Sequence, residues 1–133
     1  MEDINKDQKE FWNGQKGNIW VSLEQKIDVM LDPLGDAALK ALAPKTNERV
    51  LDIGCGTATT TLKIAKLVGD NGLVTGVDIS KPILECARQK AKNKLKHNID
   101  FVLTDAQNHK FELNSQDAIF SRFGVMFFED AIA

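Results

Sequence analysis

"RVLDIGCGTATTTLKIAKLVGDNGLVTGVDIS", Arg49 to Ser80, is the stretch that decides the fold. RVLDIG is a short apolar run that ends in a glycine turn. TTTLKIAKLVG carries helical spacing and closes at Gly69. GLVTGVDI is a second apolar run, and SKPILECARQKAKNKL is a second helix, with Ser80 as N-cap and Pro82 in the first turn. Ile83, Leu84, Ala87, Ala91 and Leu95 form that helix's buried stripe. IDFVLTDA and DAIFSRFG read as third and fourth strands, and FFEDAIA as the start of a further helix. Short strands apolar on both faces and alternating with helices argue for βαβ units and a parallel sheet covered on both sides. Right-handed crossovers make this a Rossmann-like, doubly wound α/β fold.

Upstream, residues 1–48 read as a helical lead and residues 49–133 as the α/β domain. VSLEQKIDVML and DPLGDAALKALAP each carry helical spacing, and Pro44 closes the second. Phe11, Trp12 and Trp20 flank NGQKGN in a segment that reads as a loop or a frayed helix. The two tryptophans either dock the lead on the sheet or form a lid over a ligand.

The bulk numbers exclude several classes. A chain of 133 residues supports one modest domain. A formal net charge of -2 gives no global field toward nucleic acid or anionic lipid. The polar start and the lack of any long apolar run argue against a signal peptide or a membrane span, so the expected location is the cytoplasm. Cys55 and Cys86 have no metal-ligand spacing, and His97 and His109 lack partners of that kind, so no metal is expected. The run RQKAKNKLKH lies on the polar face of a helix and reads as a solvated surface.

In a doubly wound sheet the ligand lies beyond the carboxyl ends of the strands. At the end of the first strand, Gly54 and Gly56 permit a close ligand approach, and the helix that follows offers free N–H groups to an anion such as a carboxylate. Asp78 ends the second strand 24 residues beyond Gly54, close to the ~20 at which an acid reaches a ribose hydroxyl pair. Asp105 ends the third strand and can accept from an adenine amino group, while the Ala106 backbone reads the ring edge. Asp52, inside the first strand, must be paired or hydrogen-bonded if buried. Counted from Gly54, the third small position of a dinucleotide fingerprint falls on Thr59, a β-branched residue, which argues against NAD or FAD. A smaller adenosine ligand carrying a cation and a carboxylate suits the pattern better.

VLDIGCGTATTTLKIAKLVGDNGLVTGVDIS, FVLTDAQ and FSRFGVMFFED resemble the class I S-adenosylmethionine-dependent methyltransferases, and within them the ubiquinone/menaquinone-methyltransferase-like branch. The resemblance implies a sheet of order 3-2-1-4 in this half of the fold, and S-adenosylmethionine as cofactor. It also implies that the loop of Gly54, Cys55, Gly56 and Thr57 wraps the methionine moiety, with Asp52 near its ammonium. Asp78 would bind the ribose, Ile79 would pack on the adenine, and Asp105 and Ala106 would read its edge. Arg122 and Phe123 would lie beside the methionine part and the transferring methyl. The family usually has a third glycine where this chain has Ala58. TATTT reads as helical, so the change is expected to be mild.

Cys55 is read as a packing residue rather than a nucleophile, and no general base or other catalytic residue can be named. The absence of an Asn-Pro-Pro-aromatic stretch after the fourth strand points to a small-molecule methyl acceptor and not nucleic acid. The resemblance implies seven strands, of which this sequence supplies four. A cofactor-binding but catalytically incomplete module, or a partner-dependent one, is therefore the first alternative, and an NAD-dependent oxidoreductase the second. Phe120, Phe123, Phe127 and Phe128 near the open fourth strand suggest self-association or a partner chain.

Overall fold

A computed structural model describes residues 5–94 and 96–125. Leu95, Phe127, Phe128 and the further helix expected from FFEDAIA lie outside the described residues. Three helices lead, α1 (Lys6–Asn13), α2 (Gln15–Ser22) and α3 (Glu24–Leu42). Then come β1 (Arg49–Ile53), α4 (Thr59–Val68), β2 (Leu73–Asp78), α5 (Lys81–Asn93), β3 (Ile99–Leu103) and β4 (Ala118–Ser121). The sheet order is β3-β2-β1-β4, and every pairing is parallel.

The register explains the core. Val50 stands opposite Val74 on β2 and Ala118 on β4, and Asp52 stands opposite Gly76 and Phe120. Alternation puts these residues on one face of the sheet. There Val50, Val74 and Phe120 pack with Leu39 of α3 and with Ile64, Ala65 and Val68 of α4. Leu84 and Ala87 of α5 join Cys55, Ala58, Leu62 and Phe101 in a second cluster. Phe101 pairs with Gly76, so α5 covers the same face as α4. Both βαβ crossovers step in one direction across the sheet, and their common hand places both helices on one side. Residues 104–117, which join β3 to β4, carry turns and no helix.

Three expectations are corrected. The Phe11–Trp20 segment is helical, with a break at Gly14 between α1 and α2. Trp12 stacks edge-to-face on Trp20 at 5.5 Å, and Ser80 Oγ donates to the Trp12 carbonyl at 2.5 Å. Tertiary contacts thus hold two helices of 8 residues each, which are too short to be stable alone. The two helices expected over residues 21–44 are one, because Pro33 is carried inside α3. That helix ends at Ala43 in a left-handed conformation (φ 47°), one residue before Pro44. Finally, Phe120 is not part of an exposed edge. It is 4% exposed in the core, and its neighbour Ile119, on the other face, is 60% exposed.

Candidate functional site

The carboxyl ends of all four strands open into one cavity. It is lined by Ile53, Gly54 and Gly56 after β1, by Val77, Asp78, Ile79 and Ile83 around the end of β2, by Thr104, Asp105 and Ala106 after β3, and by Arg122, Phe123 and Gly124 after β4. Asn5, Gln8, Trp12, Trp20 and Leu31 close it from the N-terminal helices. Both tryptophans therefore cover the cavity as well as docking the lead.

The β1 loop turns through positive φ at Gly54 (67°) and Gly56 (57°). The Gly54 and Cys55 N–H groups both donate to the Val77 carbonyl, which ties the loop to β2. A Cβ at Gly54 would stand 2.7 Å from the Gly124 Cα, so the loops after β1 and β4 touch through bare backbone. Sequence reasoning missed Gly124. Its only signal was a glycine just past the fourth strand.

Asp78 is half-buried at the loop's flank. Its Oδ2 accepts from the Gly56 N–H at 3.0 Å and its Oδ1 from the Ser80 N–H at 2.9 Å. Burial raises its carboxyl above the ordinary range, against the lowering effect of those N–H groups. Each oxygen keeps acceptor capacity toward the cavity.

Asp52 is fully buried and does not line the cavity. Its Oδ2 accepts from Thr61 Oγ1 at 2.7 Å and from Thr60 Oγ1 at 3.1 Å, both in the first turn of α4. Its Oδ1 has no hydrogen-bond partner. Desolvation pushes its pKa up to about 6, partly offset by the two hydroxyls and by Arg122. Cys55 and Thr57 are also buried and outside the lining. Burial pushes the Cys55 thiol well up, which fits a packing residue and not a nucleophile.

Ala58 corrects another expectation. It is the N-cap of α4, not a helical residue, and lies at φ 73° with no exposure. The position asks for glycine, and alanine holds it under strain. Phe123, in the cavity wall, is also left-handed, at φ 59°.

Arg122 is held from α3. Its Nη2 lies 3.3 Å from Asp28 Oδ1 and its Nη1 3.8 Å from Asp32 Oδ1, and Nη1 makes no hydrogen bond. At the far end, Asp105 accepts four bonds. Asn5 Nδ2 reaches Oδ1 at 2.8 Å and Oδ2 at 2.7 Å, the Gln107 N–H reaches Oδ1, and Asn108 Nδ2 reaches Oδ2 at 2.6 Å. Asn5 was not legible as a site residue, because it lies a hundred positions away in a polar stretch.

Among the described residues no group of acidic, cysteine or histidine side chains could hold a metal ion, and no helix is long and apolar enough to cross a membrane.

Comparison with known proteins fits this geometry. Residues 50–133 match the family described as "Methyltransferase domain". The chain is 36% identical over 100 residues to an aklanonic acid methyltransferase of Streptomyces sp. (strain C5), a match covering 75% of this chain and 46% of that one. It is 39% identical over 95 residues to the demethylmenaquinone methyltransferase of Staphylococcus saprophyticus, covering 71% and 40%. A Haemonchus contortus phosphoethanolamine N-methyltransferase solved with S-adenosylhomocysteine superposes with a TM-score of 0.65 at 31% identity, covering 71% of this chain and 22% of that one. The chain thus spans less than half the length of these curated relatives.

Proposed function

The chain belongs to the methyltransferase-domain family of S-adenosylmethionine-dependent enzymes, and from that premise we propose that its strand-end cavity binds S-adenosylmethionine and presents the methyl group to a small-molecule acceptor. One observation carries the reading. Gly54, Gly56, Asp78, Ile79, Asp105, Ala106, Arg122 and Phe123, expected at four separate strand ends, line a single cavity.

The residues fit such a donor. Asp78 is oriented by two backbone N–H groups and can accept from a ribose hydroxyl pair. Gly54 and Gly56 leave the loop without side chains where the methionine part would pass. Ile79 and Ile83 supply apolar wall for the adenine. Arg122, held by Asp28, supplies a cation at the end of β4 for a carboxylate or an acceptor oxygen.

The donor, when bound, supplies an electrophilic methyl group on a sulfonium. The titratable side chains in the described lining are Asp78, Asp105 and Arg122, each already bonded. The chain's contribution is therefore alignment and exclusion of water, with Trp12 and Trp20 as the cover. The curated relatives act, by their names, on aklanonic acid and on demethylmenaquinone. Together with the lack of a basic field, this favours a small acceptor. It also disfavours the NAD alternative, as does Thr59, whose hydroxyl is committed to Asp28 at 2.6 Å.

Titration calorimetry with S-adenosylhomocysteine and with NAD tests the reading. The first should bind and the second should not, and binding of NAD alone would overturn it. Asp78→Ala should weaken S-adenosylhomocysteine by roughly 1–3 kcal/mol, the scale for losing a buried hydrogen-bond partner.

A further inference from the structure

Asn5 occupies the place at Asp105 where an adenine amino group would sit. An ionised carboxylate offers about four acceptor positions. At Asp105 both oxygens are engaged: the Asn5 NH2 group sits between them and shares one hydrogen with both, the Gln107 N–H bonds Oδ1, and Asn108 Nδ2 bonds Oδ2. The Gln107 and Asn108 bonds come from the same turn as Asp105 and hold its carboxylate in place. The Asn5 bonds come from the N-cap of α1, far along the chain, and are the removable ones.

The chemistry of the occupant matches the expected ligand. The Asn5 carboxamide presents an NH2 group on a planar sp² framework, as the exocyclic amine of adenine does. A third acceptor, Gln107 Oε1, lies 3.1 Å from the same nitrogen, which fixes the amide with its NH2 side inward. The contact is not incidental to helix formation. Asn5 is the N-cap of α1, a position where asparagine ordinarily bonds the first turn, yet its side chain makes no capping bond. It is 3% exposed, and its amide is committed to β3's end instead.

We propose that Asn5 is an internal competitor of the methyl donor, and that α1 must release Asp105 before adenine can take its seat. This rests on the assignment of Asp105 to the adenine edge. α1 is also attached at its other end. Asn13 bridges the Ile79 carbonyl and the Lys81 N–H at 2.8 and 2.7 Å, and Ser80 holds Trp12, both at the start of α5. These contacts let the Asn5 end swing while the Asn13 end stays anchored. Affinity for the donor is then the intrinsic affinity reduced by the fraction of molecules with Asp105 open.

The test compares the full chain with its Asn5→Ala variant in calorimetric titrations with S-adenosylhomocysteine. The variant should bind at least about tenfold tighter, the lower end of what a hydrogen bond to a charged group contributes. In the wild type, saturating S-adenosylhomocysteine should speed amide hydrogen exchange across residues 6–13. Equal or weaker binding by the variant, or slower exchange in α1 on ligand addition, would overturn the competitor while leaving the donor site standing. No binding by either protein would overturn both.

Discussion

Replacing Asp52 with asparagine should remove most of the pH dependence of stability between pH 4 and pH 6. The folded chain holds the Asp52 proton more tightly than the unfolded chain, because burial raises the pKa from 3.8 to about 6. Between those values the folded state binds more protons, so stability falls as pH rises through the window and levels off above it. A difference of about two pH units corresponds to roughly 3 kcal/mol. Full burial leaves little solvent to screen that cost. Asp78 is raised in the same direction and contributes its own slope, so the informative quantity is the difference between wild type and variant. At pH 7 the variant recovers the charge penalty. It also places an amide where Oδ1 has no partner, which costs about 1–3 kcal/mol. The expected net is a gain of about 0–2 kcal/mol at pH 7 and a loss of about 1–3 kcal/mol at pH 4. Urea unfolding at half-unit steps from pH 4 to pH 7, with matched m-values, measures both. Parallel stability curves for the two proteins would refute the reasoning, because they would mean that Asp52 titrates alike in the folded and unfolded chain.

Two further substitutions probe the loops. Ala58→Gly relieves roughly 1–2 kcal/mol of left-handed strain but gives up a buried methyl of about 0.8 kcal/mol and adds about 0.4–1 kcal/mol of unfolded-state entropy. The melting temperature should therefore stay near that of the wild type, and a loss above about 1 kcal/mol would show that position 58 is unstrained. Gly124→Ala places a Cβ 2.5 Å from the Ile53 carbonyl oxygen and 3.0 Å from the Gly54 Cα, neither of which can step aside. Thermal unfolding should show a loss of about 1–3 kcal/mol, with weaker S-adenosylhomocysteine binding by calorimetry, since the β1 loop is pushed toward the cavity.

The strand-end chemistry was legible because each part is encoded locally. Gly54 and Gly56 follow an apolar run, and Asp78 and Asp105 each close another. Parallel pairing then brings consecutive strand ends together whatever the intervening helices contain. Ala58 could not be read the same way. TATTT has the composition of a helix start, and only the turn that ties Cys55 to Val77 forces its first alanine into the left-handed region. The fate of Phe120 was a matter of parity. Adjacent strand residues face opposite sides, and a four-residue strand carries too little pattern to say whether Ile119 or Phe120 enters the core. Pro33 misled for a related reason. A proline ordinarily ends a helix, but α3 lies along α4 and β4, and packing there sustains it through the missing N–H.

The residues that escaped the sequence share one property, which is that their partners lie far along the chain. Asn5 meets Asp105, Gly124 meets Gly54, and Asp28 meets both Thr59 and Arg122. None belongs to a periodic pattern or a motif, so nothing local distinguishes Asn5 from the other polar residues around it. These same long-range contacts determine access to the cavity. The strand ends supply the recognition groups. The N-terminal helices, held by polar side-chain contacts at Asp105, Ile79, Ser80 and Lys81, decide when those groups are free. A cover built this way has low local stability, because it buries few apolar side chains and rests on separate polar contacts. That is what an entrance must have if a ligand of nucleoside size is to pass the two tryptophans, and it explains why helices with so little sequence signal lie over the part of the fold with the most.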